Sequence, residues 1–194
     1  MGCLNGASFV GVGGSSPDQI RECPMTNIVS NSGCAIRRAT ADDVPTILRL
    51  IRELAEFERL SHEMVASEDL LRETLFGARP GAEVVIAEAN DEVSGFALFF
   101  PNFSTFLGRP GLYLEDLYVR PKFRGQGHGE QLLRHLAGLC VERNYGRLEW
   151  SVLDWNQRAI DFYKGLGAKP MDDWTVFRVT GDALTKLASE IFRT

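Results

Sequence analysis

The chain has no apolar run of the length a membrane-spanning helix needs, so a helical span is excluded. It has no surplus of positive charge either: 21 Lys and Arg stand against 26 Asp and Glu, a formal net charge of −5. That balance argues against a nucleic-acid binder and favours cationic partners. Cysteine is scarce, and Cys3, Cys23, Cys34 and Cys140 form neither a CxxC pair nor a metal-ligand spacing. They read as reduced thiols in a cytoplasmic setting, with no disulfide scaffold and no metal. His62, His128 and His135 are scattered and take no catalytic assignment. The first residues lack the basic start and long apolar centre of a secretory signal, and Gly6 stands where myristoylation of Gly2 wants Ser or Thr. No internal repeat is present.

What is there describes one soluble globular domain. The 194 residues are 44% hydrophobic and 24% charged, enough for a sizeable core. Residues 1–33 are rich in Gly, Ser, Asn and Pro without a period and are expected to form a poorly ordered extension, with Met25 offering an alternative start. Residues 34–194 are expected to form the domain. A short strand at Cys34–Arg38 precedes Thr40-Ala41-Asp42-Asp43, an N-cap with an acid three residues on. Val44, Ile47, Leu48, Ile51, Leu54, Ala55 and Phe57 then recur with helical spacing. Ser67 caps a second helix that Gly77 stops. Val84–Ala89 and Val93–Phe100, joined by Asn90-Asp91-Glu92, read as a hairpin, and Pro101–Gly111 as a loop. Further on, the spacing predicts a helix from about His128 to Arg143, a strand at Leu148–Leu153, and a helix capped by Asn156. It closes with a strand at Trp174–Val179 and a helix from Asp182. Helices, then a hairpin, then alternating strands and helices make an α/β fold on a mixed sheet.

The stretch Leu112–Glu130, LYLEDLYVRPKFRGQGHGE, organises the rest. Glu115 and Asp116 interrupt an apolar strand, which costs free energy unless the acids are partnered or working. Arg124-Gly125-Gln126-Gly127-His128-Gly129 then opens a helix. A glycine turn at a helix N-terminus offers outward N–H groups and the positive end of the dipole, a site for phosphate to which Arg124 adds charge. No Gly-Lys-Ser/Thr follows, so this is not a Walker A loop. Glu130 stands where a dinucleotide fingerprint needs its third glycine.

Four segments occur in a characteristic order: Ala35-Ile36-Arg37-Arg38-Ala39-Thr40, Tyr113-Leu114-Glu115-Asp116-Leu117-Tyr118-Val119, Arg124-Gly125-x-Gly127-x-Gly129, and Asn156-x-x-Ala159-Ile160-Asp161-Phe162-Tyr163-Lys164-x-x-Gly167-Ala168. In this the chain resembles the GNAT superfamily of N-acetyltransferases, and within it the diamine (spermidine/spermine) acetyltransferases and their thialysine-acetylating relatives. The resemblance implies the GNAT fold, with a central sheet in which two strands splay apart to admit acetyl-CoA, and no metal. It implies that the backbone of Leu117, Tyr118 and Val119 pairs with the pantetheine arm. Arg124, Gly125, Gln126, Gly127, His128, Gly129 and Glu130 would hold the pyrophosphate, and Asn156 and Tyr163 would contact the arm from the other side.

The implied chemistry is aminolysis of a thioester. An ammonium of ordinary pKa about 10.4 must lose a proton before attacking. The resemblance points to Glu115 as base, directly or through water, and to Tyr163 as proton donor to the leaving thiolate. Each has a plainer reading: an ion pair with Arg37 for Glu115, core packing beside Phe162 for Tyr163, a simple N-cap for Asn156. Simple alternation puts Asp116 on the strand's other face as a structural acid. Phe57 and Glu58, with Glu115 and Asp172-Asp173-Trp174, fall where diamine acetyltransferases hold substrate, and Glu53 and Glu56 add acid to that side. Helix acids are as readily a solvated face. The expected substrate is a small primary amine, a polyamine or a lysine-like amino acid. The alternatives are another amine, such as a protein lysine, or a CoA-binding module without turnover. The resemblance also implies a homodimer, to which Phe99, Phe103 and Phe106 would contribute an apolar surface.

Overall fold

The computed structural model describes residues 33–189. The expected N-terminal extension, including Cys3, Cys23 and Met25, lies almost wholly outside them. The chain divides into two compact units, one ending at Glu149 and the other beginning at Trp150.

In the first unit, β1 (Ala35–Arg38) runs into a capping box in which Thr40 and Asp43 bond each other's backbone, as the sequence predicts. Helix α1 (Val44–Glu58) follows after one 3-10 turn and carries Val44, Ile47, Leu48, Leu50 and Leu54 inward. It stops at Arg59, a left-handed residue at φ 63°. Helix α2 (Glu68–Phe76) is capped by Ser67, whose hydroxyl accepts from the Leu70 N–H at 3.3 Å. The hairpin β2 (Glu83–Ala89) and β3 (Glu92–Ser104) turns through Asn90 and Asp91, both at positive φ.

The expected loop at Pro101–Gly111 is instead a continuation of the hairpin: β3 runs on to Ser104 and β4 (Arg109–Val119) starts before Gly111. Pro101 suggested a break because it donates no ladder bond. Its place in the sheet removes the objection. It lies opposite Leu112, whose N–H points away from β3 to the Arg147 carbonyl at 2.9 Å. The backbone polar groups of this pair therefore point outward, and the Pro101 nitrogen faces the side from which β2 has already departed, since β2 pairs no further than Phe99.

The sheet order is β1-β2-β3-β4-β5, with antiparallel pairing from β1 to β4. Ahead of β5 (Leu148–Trp150), Gly146 N–H bonds the Pro110 carbonyl and Leu112 N–H bonds Arg147. These two bonds advance in the same sense along both segments, so the last pairing is parallel and the sheet is mixed, as expected. Helices α1 and α2 close one face over Val84, Ile86, Phe96 and Tyr118. Helix α3 (His128–Glu142) packs on β3 and β4 with Leu132, Leu133 and Leu136 buried. Phe99 is buried in that arrangement, against its expected surface role, while Phe103 and Phe106 are exposed at the hairpin end.

The second unit holds α4 (Gln157–Gly165) and α5 (Gly181–Ser189). The strand expected to reach Leu153 ends at Trp150, and the one expected at Trp174–Val179 does not form. Periodicity suits both segments to pairing, but a strand needs a neighbour's backbone, and none is assigned to Trp174–Val179 among the described residues.

Candidate functional site

The site of the first unit begins at a break in the β3–β4 ladder. Leu98 pairs with Asp116 and Phe99 with Leu114, so Glu115 is the extra residue of a β-bulge. It has no cross-strand partner and its side chain is exposed. The ion pair with Arg37 does not form: that guanidinium is held by Asp43 at 2.7 Å and Glu88 at 2.9 Å.

The bulge gives Asp116 surroundings that alternation alone does not suggest. Asp116 lies opposite Leu98, on the face of Phe96 and Tyr118, where α1 reaches its end. Its carboxyl is pushed up to about 6, chiefly by burial and then by the carboxylates of Glu115 and Glu58. Glu58 is itself raised by burial. Asp116 and Glu58 are thus partly withdrawn from water with exposed Glu115 beside them, and an incoming cation would offset the gathered negative charge. Among the described residues no cluster of His, Cys, Asp or Glu is arranged to hold a metal ion.

The raised Asp116 has a consequence for stability. Between pH ~3.8 and about 6 the folded chain holds more protons than the unfolded one, so stability is lost as pH rises through that window. Above it the penalty is complete, on the order of 2 kcal/mol once partial solvent contact is allowed for. Asp116→Asn is therefore expected to raise the melting temperature at pH 8 by about 4–8 °C and to change it little at pH 4. Thermal scans at the two pH values check this; equal gains at both would remove the charge explanation.

The other acids of α1 divide differently. Glu53, expected to face a cation pocket, is occupied by Arg120, which donates to it from Nε at 2.9 Å and from Nη2 at 2.8 Å. Glu56 is exposed. Phe57 lies under the guanidinium of Arg124, 4.6 Å from carbon to ring centroid. Arg124 also stands over Tyr118 at 5.5 Å and donates from Nε to the Val119 carbonyl at 2.8 Å. That carbonyl, expected to serve an added strand, already accepts this bond. Leu117 and Val119 pair with Ala97 and Gly95 of β3, while Tyr118 is buried in the core.

The glycine turn fits a diphosphate. Gly125 and Gly127 are left-handed, at φ 77° and 84°, with open space over both. Gly127 caps the 15-residue α3 without a side chain, so the first-turn N–H groups are served by none. The side chains around them are otherwise engaged. Gln126 donates to the Lys122 carbonyl at 2.8 Å, and Glu130 pairs with Arg134 at 2.7 Å. His128 turns into the core, 2% exposed and stacked on Phe123 at 5.5 Å, with burial holding its pKa below the ordinary value. Of the residues expected to hold phosphate, these contribute backbone at most; Gly129 continues the first turn.

In the second unit, Asn156 caps α4, its Oδ1 accepting from Ala159 N–H at 3.3 Å. Tyr163 packs edge-on to Trp150 at 5.0 Å and beside Phe162 at 5.3 Å. Asp172, Asp173 and Trp174 are exposed, in a turn closed by Trp174 N–H on the Met171 carbonyl at 3.1 Å.

Residues 47–168 match the family model described as the acetyltransferase (GNAT) family. The chain is 42% identical to a thialysine N-epsilon-acetyltransferase of Bos taurus over 166 residues, covering 80% of this chain and 97% of that protein. It is 37% identical to the L-ornithine N5-acetyltransferase NATA1 of Arabidopsis thaliana, covering 77% and 85%. Among solved structures, it is similar to an integron cassette protein from the mobile metagenome of V. cholerae, with a TM-score of 0.69, 31% identity, and 80% and 98% of the two chains covered.

Proposed function

Since the chain belongs to the acetyltransferase (GNAT) family and is an acetyl-CoA-dependent N-acetyltransferase, we propose that its acceptor is the primary amine of a small cation, acetylated by direct attack in a ternary complex. The observation that carries this reading is the crowding of Glu58, Glu115 and Asp116 around the bulge, with Asp116 pushed up to about 6. A cationic acceptor offsets that crowding; a neutral one leaves it in place. The relatives named for thialysine and ornithine favour a lysine-like or ornithine-like amino acid over a polyamine.

Acetyl-CoA, when bound, supplies the thioester carbonyl that the amine attacks. The N–H groups at the start of α3, beyond left-handed Gly125 and Gly127, suit its pyrophosphate, and the strand edge at Leu117–Val119 suits its amide-bearing arm. Glu115, unpaired at the bulge, takes the ammonium proton, directly or through water. Asp116 beside it, its carboxyl pushed up to about 6, adds attraction for the cation once ionised. Tyr163 returns a proton to the departing sulfur, and Asn156, Asp172, Asp173 and Trp174 complete the contacts from the C-terminal part of the chain. The protein works as a cytoplasmic homodimer.

Thiol release from acetyl-CoA, followed over a panel of amino acids, diamines and neutral amines, tests the reading. Cationic amines are expected to be turned over and neutral isosteres of the same length to be poor acceptors. Glu115→Gln should lower kcat/KM for the amine about a hundredfold with acetyl-CoA affinity little changed. Equal rates for neutral and cationic amines would refute the acceptor class.

A further inference from the structure

Two arginines four residues apart meet two residues of α1 that are also four apart. Arg120 grips Glu53 with two hydrogen bonds, at 2.9 and 2.8 Å, and Arg124 lies 4.6 Å over the ring of Phe57. Both arginines are anchored on the sheet side. Arg120 donates from Nη1 to the Val93 carbonyl at 3.0 Å and from its backbone to Ser94 at 2.9 Å, while Arg124 holds the Val119 carbonyl at 2.8 Å. The buried residues of α1 end at Leu54. Its last turn, which carries Phe57 and Glu58, lies beyond the packed stripe and is followed at once by left-handed Arg59. Core packing and the Arg120–Glu53 pair therefore fix the helix up to Leu54, and Arg124, through Phe57, holds its final turn.

On this geometry, and resting on the acceptor site proposed above, we propose that Arg120 and Arg124 form a clasp that couples the glycine turn to the acceptor side. Arg124 is the positioning residue of the pair. It stands immediately before Gly125, yet its planar face is spent on Phe57 and Tyr118. A shift of the turn on loading with acetyl-CoA moves the guanidinium, and with it the turn of α1 that presents Glu58 toward Asp116. Acceptor affinity thus depends on whether the glycine turn is occupied, and by linkage the reverse holds equally. A guanidinium suits this task because it stacks and donates at once; an ammonium of equal charge lacks the plane.

The test separates the clasp from a plain phosphate contact. Arg124→Lys keeps the charge and removes the stacked plane. It is expected to raise the KM for the amine about threefold to thirtyfold while the KM for acetyl-CoA moves less than about threefold. Phe57→Leu should raise the amine KM similarly, and Arg124→Lys added to it should raise it no further, since the two act as one contact. Glu53→Gln, which weakens the grip of Arg120, should also weaken the amine more than acetyl-CoA. Amine affinity measured calorimetrically with and without saturating CoA should show coupling in the wild type that Arg124→Lys reduces. Circular dichroism and melting curves confirm that each variant is folded. A rise confined to the acetyl-CoA KM, equal rises for both substrates, or additive effects of Phe57→Leu and Arg124→Lys would overturn the clasp. Failure of the wild type to acetylate any amine would instead overturn the function on which it rests.

Discussion

Tyr163→Phe is expected to lower kcat about a hundredfold or more while acetyl-CoA binds within a few-fold of its normal strength. The ring of Tyr163 is fixed by Trp150 at 5.0 Å and by Phe162 at 5.3 Å. Phenylalanine keeps both contacts, so the substitution removes one hydroxyl and leaves α4 packed. A residue that serves only packing would lose little in any assay under this change. A residue that protonates a leaving thiolate loses the step outright, and the loss falls on kcat because the proton is needed as the C–S bond breaks. Turnover and calorimetric affinity, measured on the same preparation, decide between them. A kcat within threefold of wild type would return Tyr163 to the core.

The second large effect is expected at Gly127. A Val there should raise the KM for acetyl-CoA by about a hundredfold and leave the protein folded. Two causes act together. The backbone sits at φ 84°, which costs a β-branched residue on the order of 1–2 kcal/mol or shifts the turn. The new side chain would also stand in the open space over the first-turn N–H groups of α3, where the diphosphate is expected. Nothing of the protein lies within 4 Å of a Cβ there, so the strain has no clash to add to it. Binding of acetyl-CoA followed by calorimetry, beside a melting curve, checks both parts. Unaltered affinity in a folded variant would move the diphosphate elsewhere.

Much of this architecture could be read from local chemistry. The capping box at Thr40–Asp43, the Ser67 and Asn156 caps and the glycine turn each announce themselves through a few neighbouring residues, and each occurs where expected. The features that stayed hidden depend on distant partners. The extension of β3 through Pro101 follows from where β2 stops, which no pattern within β3 records. The strand expected at Trp174–Val179 has the right residues but lacks a partner backbone in the described chain. The bulge is the most consequential of these. Glu115 and Asp116 stand out in any reading as acids in an apolar strand. Their division into an exposed carboxylate and a half-buried acid near pKa 6 comes from one extra residue against Phe99 and from Glu58, far upstream on α1. Likewise, Arg124 next to three glycines reads as a phosphate ligand, and only the approach of α1 shows what its plane rests on.

The outward nitrogen of Pro101 bears on how this protein behaves in a crowded solution. Among the described residues, β3 pairs with β4 alone from Phe100 to Ser104, leaving a strand border without a ladder partner beside exposed Phe103 and Phe106. Such a border invites a second strand and, with apolar neighbours, invites aggregation. A proline whose nitrogen faces that border withholds the hydrogen-bond donor an incoming strand would seek. The residue that looked like a defect in the hairpin thus makes this border a poor template for an added strand, and leaves any association there to side chains.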